Sequence, residues 1–178
     1  MSPNALLVKR AQRGDGAAVD ALLRAHYDTI RAICHRIVVN RDDAEDATQN
    51  ALINIVRALP GFDGRSAFTT WIYRVATNAA LDEVRRIRRR PVPMDDESRI
   101  DSASADGTNA VDARLDVGAA LSQLAEDHRV ALVLRHVADL EYEEIAIILD
   151  VPVGTVRSRL SRARAQLGEA MGNPDGGS

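Results

Sequence analysis

The stretch EYEEIAIILDVPVGTVRSRLSRARAQL, residues 141–167, decides how the rest of the chain is read. Its first part carries Ile145, Ala146 and Leu149 on one face of a short helix. Asp150, Val151 and Pro152 interrupt that helix, and a second one carries Val156, Leu160, Ala163 and Leu167 inward. This is the spacing of a helix-turn-helix. Ala146 is small enough to let two helices approach, Val151 fills the corner, and Pro152 precedes a helix start without leaving an amide unpaired. At about 100° per residue, Thr155, Arg157, Ser158, Ser161 and Arg162 fall opposite the apolar stripe. Arginines and short hydroxyls reach both phosphates and base edges in a major groove, so these five are expected to form a DNA-recognition face. The alternative is a merely solvated face. Arg157, Arg159, Arg162 and Arg164 would repel one another on such a face, because no acid lies between Asp150 and Glu169.

Helical spacing continues outward from this motif, and no segment alternates with the period of a half-buried strand, so the expected fold is all-α. Upstream, the pattern predicts helices over 126–138 and 112–124. At the other end it predicts a short helix over 4–13 that stops at Gly14, and a longer one over 17–39. In the latter, Leu23, Tyr27, Ile30, Cys34 and Ile37 form a stripe that Leu22, Ile33 and Val38 widen, so Cys34 reads as core. Asp42, Asp43, Glu45 and Asp46 place negative charge where a third helix starts. Ala44, Ala47, Ala51, Leu52, Ile55 and Leu59 make its inner face, and Asp43, Asp46, Asn50 and Asn54 its outer one. Pro60 and Gly61 end it, and Ser66 is the expected N-cap of a fourth helix reaching Arg90.

On that fourth helix Phe68, Ile72, Val75, Ala76, Ala79 and Ile87 point inward, while Thr70, Arg74, Asn78, Asp82, Arg85 and Arg89 share a polar face. Trp71 falls at the edge of the polar stripe, where it either stacks on unpaired bases or packs beneath the preceding loop. Pro91 and Pro93 then break the periodicity, and the Asp-, Ser- and Gly-rich residues that follow read as a linker. The expected organisation is two small helical domains, 1–90 and 113–171, joined by an acidic flexible linker over 91–112, with a loose tail over 172–178.

Composition supports this division. The chain has 178 residues, 46% hydrophobic and 28% charged, with aromatics at only 3%. It is long enough to bury a core, which Leu, Ile, Val and Ala must supply. The net charge of −3 conceals a segregation: residues 1–90 sum to +5, 91–112 to −5 and 113–178 to −3. Arg85, Arg86, Arg88, Arg89 and Arg90 crowd one end, an arrangement suited to a polyanion. Cys34 is the single cysteine, which excludes an intramolecular disulfide and a multi-cysteine zinc site. No apolar run approaches the length of a membrane span, and the N-terminus has no secretion-signal pattern, so a cytoplasmic location is expected.

Several of these residues fall into a familiar order. Asp43-Ala44-Glu45-Asp46 with Gln49, the Phe62–Ser66 loop, Thr70-Trp71-Ile72-Tyr73-Arg74-Val75-Ala76 with Asn78 and Asp82, and Val151 through Leu160 follow one another along nearly the whole chain. In this the chain resembles the extracytoplasmic-function sigma factors of bacterial RNA polymerase. The resemblance implies a sigma-two domain over 1–90, whose third helix contacts core polymerase through Asp43, Asp46, Gln49 and Asn50. It also implies that Phe62, Arg65, Ser66, Trp71, Arg74, Asn78, Arg85 and Arg89 bind and open the minus-ten element, with a flipped base held by the loop. A sigma-four domain would set Thr155, Arg157, Ser158, Ser161 and Arg162 in the minus-thirty-five element. By the same resemblance, partners are core RNA polymerase, promoter DNA and an anti-sigma factor.

The chain departs from the family pattern in two places. Asn50, Leu52 and Val56 stand where the family usually has Glu and two aromatics, which implies a weaker or differently shaped polymerase contact. Asp150 stands where the turn usually has Gly, and Asp tolerates the left-handed conformation better than most residues. A stand-alone helix-turn-helix regulator is the competing reading, and it leaves the first 90 residues unexplained. An enzyme is disfavoured: His26, His35, His128 and His136 match no metal-helix spacing, and neither a phosphate loop nor a nucleophile elbow is present. No metal or cofactor is expected.

Overall fold

The computed structural model describes residues 3–90 and 118–170, and among them every regular element is helical. The first four helices are α1 (Pro3–Gln12), α2 (Gly16–Ile37), α3 (Arg41–Ala58) and α4 (Phe68–Arg89), with a single 3-10 turn at Leu59–Gly61. The second set is α5 (residues 118–123), α6 (Glu126–His136), α7 (Tyr142–Leu149) and α8 (Val153–Ala170). The expected linker and loose tail, and the start of the helix expected from 112, lie outside the described residues.

Local chemistry sets most of the boundaries. Gly14 takes φ +88° after α1, and Asp15 then caps α2 by accepting from the Ala18 amide at 3.1 Å. Asn40 caps α3 by accepting from the amides of Asp42 and Asp43. The expected Ser66 cap is corrected: α4 is preceded by Ala67, which makes no side-chain cap. The polar turn has moved upstream, where the Asp63 carboxylate accepts from the Arg65 amide at 3.0 Å and Gly64 reverses the chain at φ +74°. An aromatic cluster holds the first turn of α4 instead. Phe62 lies 5.5 Å from Phe68 and 5.1 Å from Trp71, centroid to centroid.

Two helix faces differ from expectation because each helix is covered by several neighbours, of which α6 and α7 are only some. In α2 the buried stripe is Leu22, His26, Ile30, Ile33, Cys34 and Ile37, whereas Tyr27 is 41% exposed and Leu23 only half-buried. The shift is confined to the N-terminal part of the helix, where Leu22 joins the cluster that holds α1 and the His26 ring meets Tyr73 and Phe68 of α4. In α4, Thr70 belongs to the buried side, together with Tyr73, Thr77, Ala80, Glu83 and Val84. The Thr70 hydroxyl donates to Glu144 of α7 at 3.0 Å, so a residue assigned to the polar face is covered by the other half.

One apolar cluster runs through both halves. It joins Ile30, Ile33, Ile37, Ile55 and Ile72 to Leu134, Ile145, Val156 and Leu160, all essentially inaccessible. Cys34 lies within it, and burial pushes its thiol pKa up to about 11. A smaller cluster of Val8, Ala11, Ala18, Leu22 and Leu59 fastens α1. Gln12 reinforces it by donating from its amide to the carbonyls of Leu59 and Phe62, at 3.2 and 2.7 Å.

Candidate nucleic-acid interface

The turn between α7 and α8 is built by backbone geometry. Asp150 adopts φ 52°, ψ 51°, and the Val151 amide donates back to the Ala146 carbonyl at 3.1 Å, closing the end of α7. The Pro152 carbonyl accepts from Thr155 and Val156, which begins α8. Val156, Leu160 and Ala163 are fully buried, and this orients the opposite face outward. Arg157, Ser158, Ser161 and Arg162 are exposed there, and Thr155 is half-buried with its carbonyl accepting from the Ser158 hydroxyl. Not every arginine of α8 is available. Arg159 reaches Asp127 of α6 at 2.6 Å with a side chain only 20% exposed, so it fastens the helix instead. Arg157 and Arg162 have no carboxylate within ion-pair distance among the described residues.

The polar face of α4 presents Arg74, Asn78, Asp82, Arg85 and Arg89 to solvent. Trp71 is half-buried in the aromatic cluster with Phe62 and Phe68, in the position that packs it against the preceding loop. Phe62 is held in the same cluster, Ser66 is half-buried, and Arg65 stands out in solvent beside Asp63. Between this loop and α1 lies a cleft of about 460 Å³ lined by Val8, Gln12, Phe62, Gly64, Ser66 and Phe68.

On α3, Asp46, Gln49 and Asn50 are exposed, while Asp43 is largely covered. Both aspartates pair with the end of α4: Asp43 with its C-cap Arg90 at 2.8 Å and Asp46 with Arg86 at 3.4 Å. Arg86 also grips the buried Glu83 with both Nε and Nη2. Sequence reasoning singled out Val56 on the exposed face of α3, through the family pattern, but missed its apolar neighbour Ile53. Ile53 and Val56 are 46% and 42% exposed beside Asp46 and Gln49. Their signal was legible, since both fall off the Ala44–Ala47–Ala51–Ile55 stripe. Glu45 belongs to a different group, accepting from Arg31 at 2.7 Å, and that guanidinium holds its carboxyl below the usual range.

Among the described residues no three His, Cys, Asp or Glu side chains gather as a metal site, and no helix is long and apolar enough to cross a membrane. The site is therefore a set of exposed helical faces, two of them rich in arginine and one in acids and apolar side chains.

Comparison with known proteins gives these faces a setting. Residues 22–90 match the family model described as Sigma-70 region 2, and residues 114–167 match that of Sigma-70, region 4. The chain is 38% identical to the RNA polymerase sigma-H factor of Pseudomonas aeruginosa, over 93% of this chain and 92% of that one. It is also 38% identical to the ECF RNA polymerase sigma-E factor of Escherichia coli K12, over 89% of each. Among solved structures it resembles the sigma factor RpoE of Bartonella quintana, determined in complex with the anti-sigma factor NepR. The TM-score is 0.68 and the identity 25%, over 86% of this chain and 96% of that one. CnrH, solved with the cytosolic domain of CnrY, shares the fold at TM-score 0.71 and 23% identity, over 94% and 96% of the two chains. The chain belongs to the sigma-70 family, within its extracytoplasmic-function group, and is a sigma factor that directs RNA polymerase to promoters.

Proposed function

We propose that three faces divide the work of initiation among them. In residues 1–90, Asp43, Asp46, Gln49 and Asn50 of α3 meet core polymerase. Phe62, Arg65 and Ser66 of the loop, with Trp71, Arg74, Asn78, Arg85 and Arg89 of α4, engage the minus-ten element. In residues 113–171, Thr155, Arg157, Ser158, Ser161 and Arg162 of α8 read the minus-thirty-five element. Residues 91–112 tether the two readers, so that holding one raises the effective concentration of the other. The protein binds and orients, and polymerase does the chemistry in the cytoplasm. Because RpoE of Bartonella quintana was solved with an anti-sigma factor, an anti-sigma partner is proposed here as well.

The observation carrying this reading is that Asp46, Arg85 and Arg162 stand exposed on three different helices, so each partner is reached without displacing another. Core polymerase pull-down and promoter-dependent transcription test it together. Arg162→Ala should leave pull-down unchanged and cut transcription from promoters with an upstream element by about 5- to 150-fold, corresponding to roughly 1–3 kcal/mol for a lost base contact. Asp46→Arg should weaken the pull-down. Equal loss of both readouts in both variants would reject the division of labour, and operator binding without core enzyme would favour a stand-alone regulator.

A further inference from the structure

The end of α4 carries Arg85, Arg86, Arg88, Arg89 and Arg90, and five carboxylates face this run. Their origin decides what they do. Asp82 and Glu83 belong to α4 itself, and Asp43 and Asp46 to α3, which packs against α4 in the same half. These four stay with their arginines wherever the second half goes. Glu126 differs, because it sits in the first turn of α6. Its Oε2 lies 2.7 Å from Nη2 of Arg88, whose side chain is 63% exposed. Among the described residues it is the one carboxylate that the C-terminal half lends to the run.

Arg88 also borders the reading face. At 100° per residue it lies within about 60° of Arg74 and Arg85 around the helix. We propose that Glu126 is a removable mask: while the halves are closed it neutralises Arg88, and their separation releases that guanidinium to a DNA phosphate. The proposal rests on the reading of α4 as a DNA-facing helix.

The physical argument turns on what the pair can and cannot do. Arg88 is solvated while Glu126 is largely covered, and a pair with one partner open to water and no hydrogen bond joining them holds two bodies together weakly. The shared apolar cluster and the Thr70–Glu144 hydrogen bond close the halves, and the ion pair sets the charge that closure presents. Phosphate and carboxylate oxygens compete for the same guanidinium geometry. A phosphodiester approaching closed Arg88 meets a guanidinium whose charge is offset on one side and an anion that repels it. The ligand class is the nucleic-acid backbone, because a released cation on this flank adds affinity without reading bases.

The experiment uses the full chain, a fluorescein-labelled duplex of arbitrary sequence, a salt titration and no polymerase. Glu126→Gln preserves shape and removes the charge that Glu126 presents to Arg88 and also to the buried Arg129 of α6, so a matched thermal melt accompanies it. The variant should tighten binding about fivefold at low salt and steepen the slope of log affinity against log salt by about 0.9, one phosphate contact. Adding Arg88→Gln should cancel both gains. Thr70→Val, which loosens closure without altering charge, should move affinity and slope the same way by less. An unchanged slope in Glu126→Gln, a gain that survives in the double variant, or no response to Thr70→Val would each overturn the mask. Loss of core-dependent transcription strikes the functional reading instead, and this assay contains no polymerase.

Discussion

His26 sits where α2 meets α4, its Nδ1 3.2 Å from the Tyr73 hydroxyl and its ring packed against Phe68. Burial holds its pKa below the ordinary histidine value, because the charged imidazolium loses water there without gaining a carboxylate. The sign of the consequence is fixed by linkage. In the unfolded chain the ring binds a proton near pH 6.5, whereas in the folded chain it does so only at lower pH. Its contribution is fully present above about pH 6.5 and is lost as pH falls through the folded value. Urea denaturation should give a lower midpoint at pH 5.5 than at pH 7.5, and His26→Gln should flatten that difference. His35 and His136, also lowered chiefly by burial, supply the remainder. A difference as large in His26→Gln as in the parent chain would locate the linkage elsewhere.

The α7–α8 turn shows how far an element can be read before it is seen. Its apolar spacing, the small Ala146 and the proline were all in the sequence, and the turn forms as they require, with Asp150 left-handed. Substituting Asp150→Gly removes the Cβ conflict of that conformation and should raise stability by roughly 0.5–1 kcal/mol. Matched thermal melts would detect it, and a lower melting temperature would mean that Asp150 contributes a favourable interaction not evident in its backbone. Spacing was less informative on α2 and α4. A helical wheel reports which side is apolar, but not that a second layer will cover the next side as well. Thr70, Thr77 and Glu83 read as solvent-facing or went unplaced, and are buried because neighbours satisfy them. Thr77 donates to the Tyr73 carbonyl at 2.7 Å, and Glu83 accepts from Arg86. The ion pairs of the arginine run at the end of α4 were illegible for a related reason, since three of its five acid partners, Asp43, Asp46 and Glu126, are distant in sequence. The exposed face of α8 was legible because its buried stripe is uninterrupted, whereas Arg159 could be distinguished from Arg157 only once α6 was in place.

At the scale of the whole molecule, one apolar cluster makes the halves mutually dependent. Leu134 of α6 is fully buried within it, far along the chain from Trp71. Leu134→Ala should cost about 2–5 kcal/mol and lower the midpoint of the Trp71 fluorescence transition together with the far-UV one. A fluorescence midpoint left in place while helicity is lost earlier would show two independent units. The contact that joins the halves has a further property. Glu144 uses Oε2 to accept from the Glu141 amide at the start of α7, and Oε1 to accept from Thr70. Undocking therefore costs this carboxylate one bond and spares the other. The winding of the opening turn of α7 is thus secured from within its own segment, whatever becomes of the contact with Thr70.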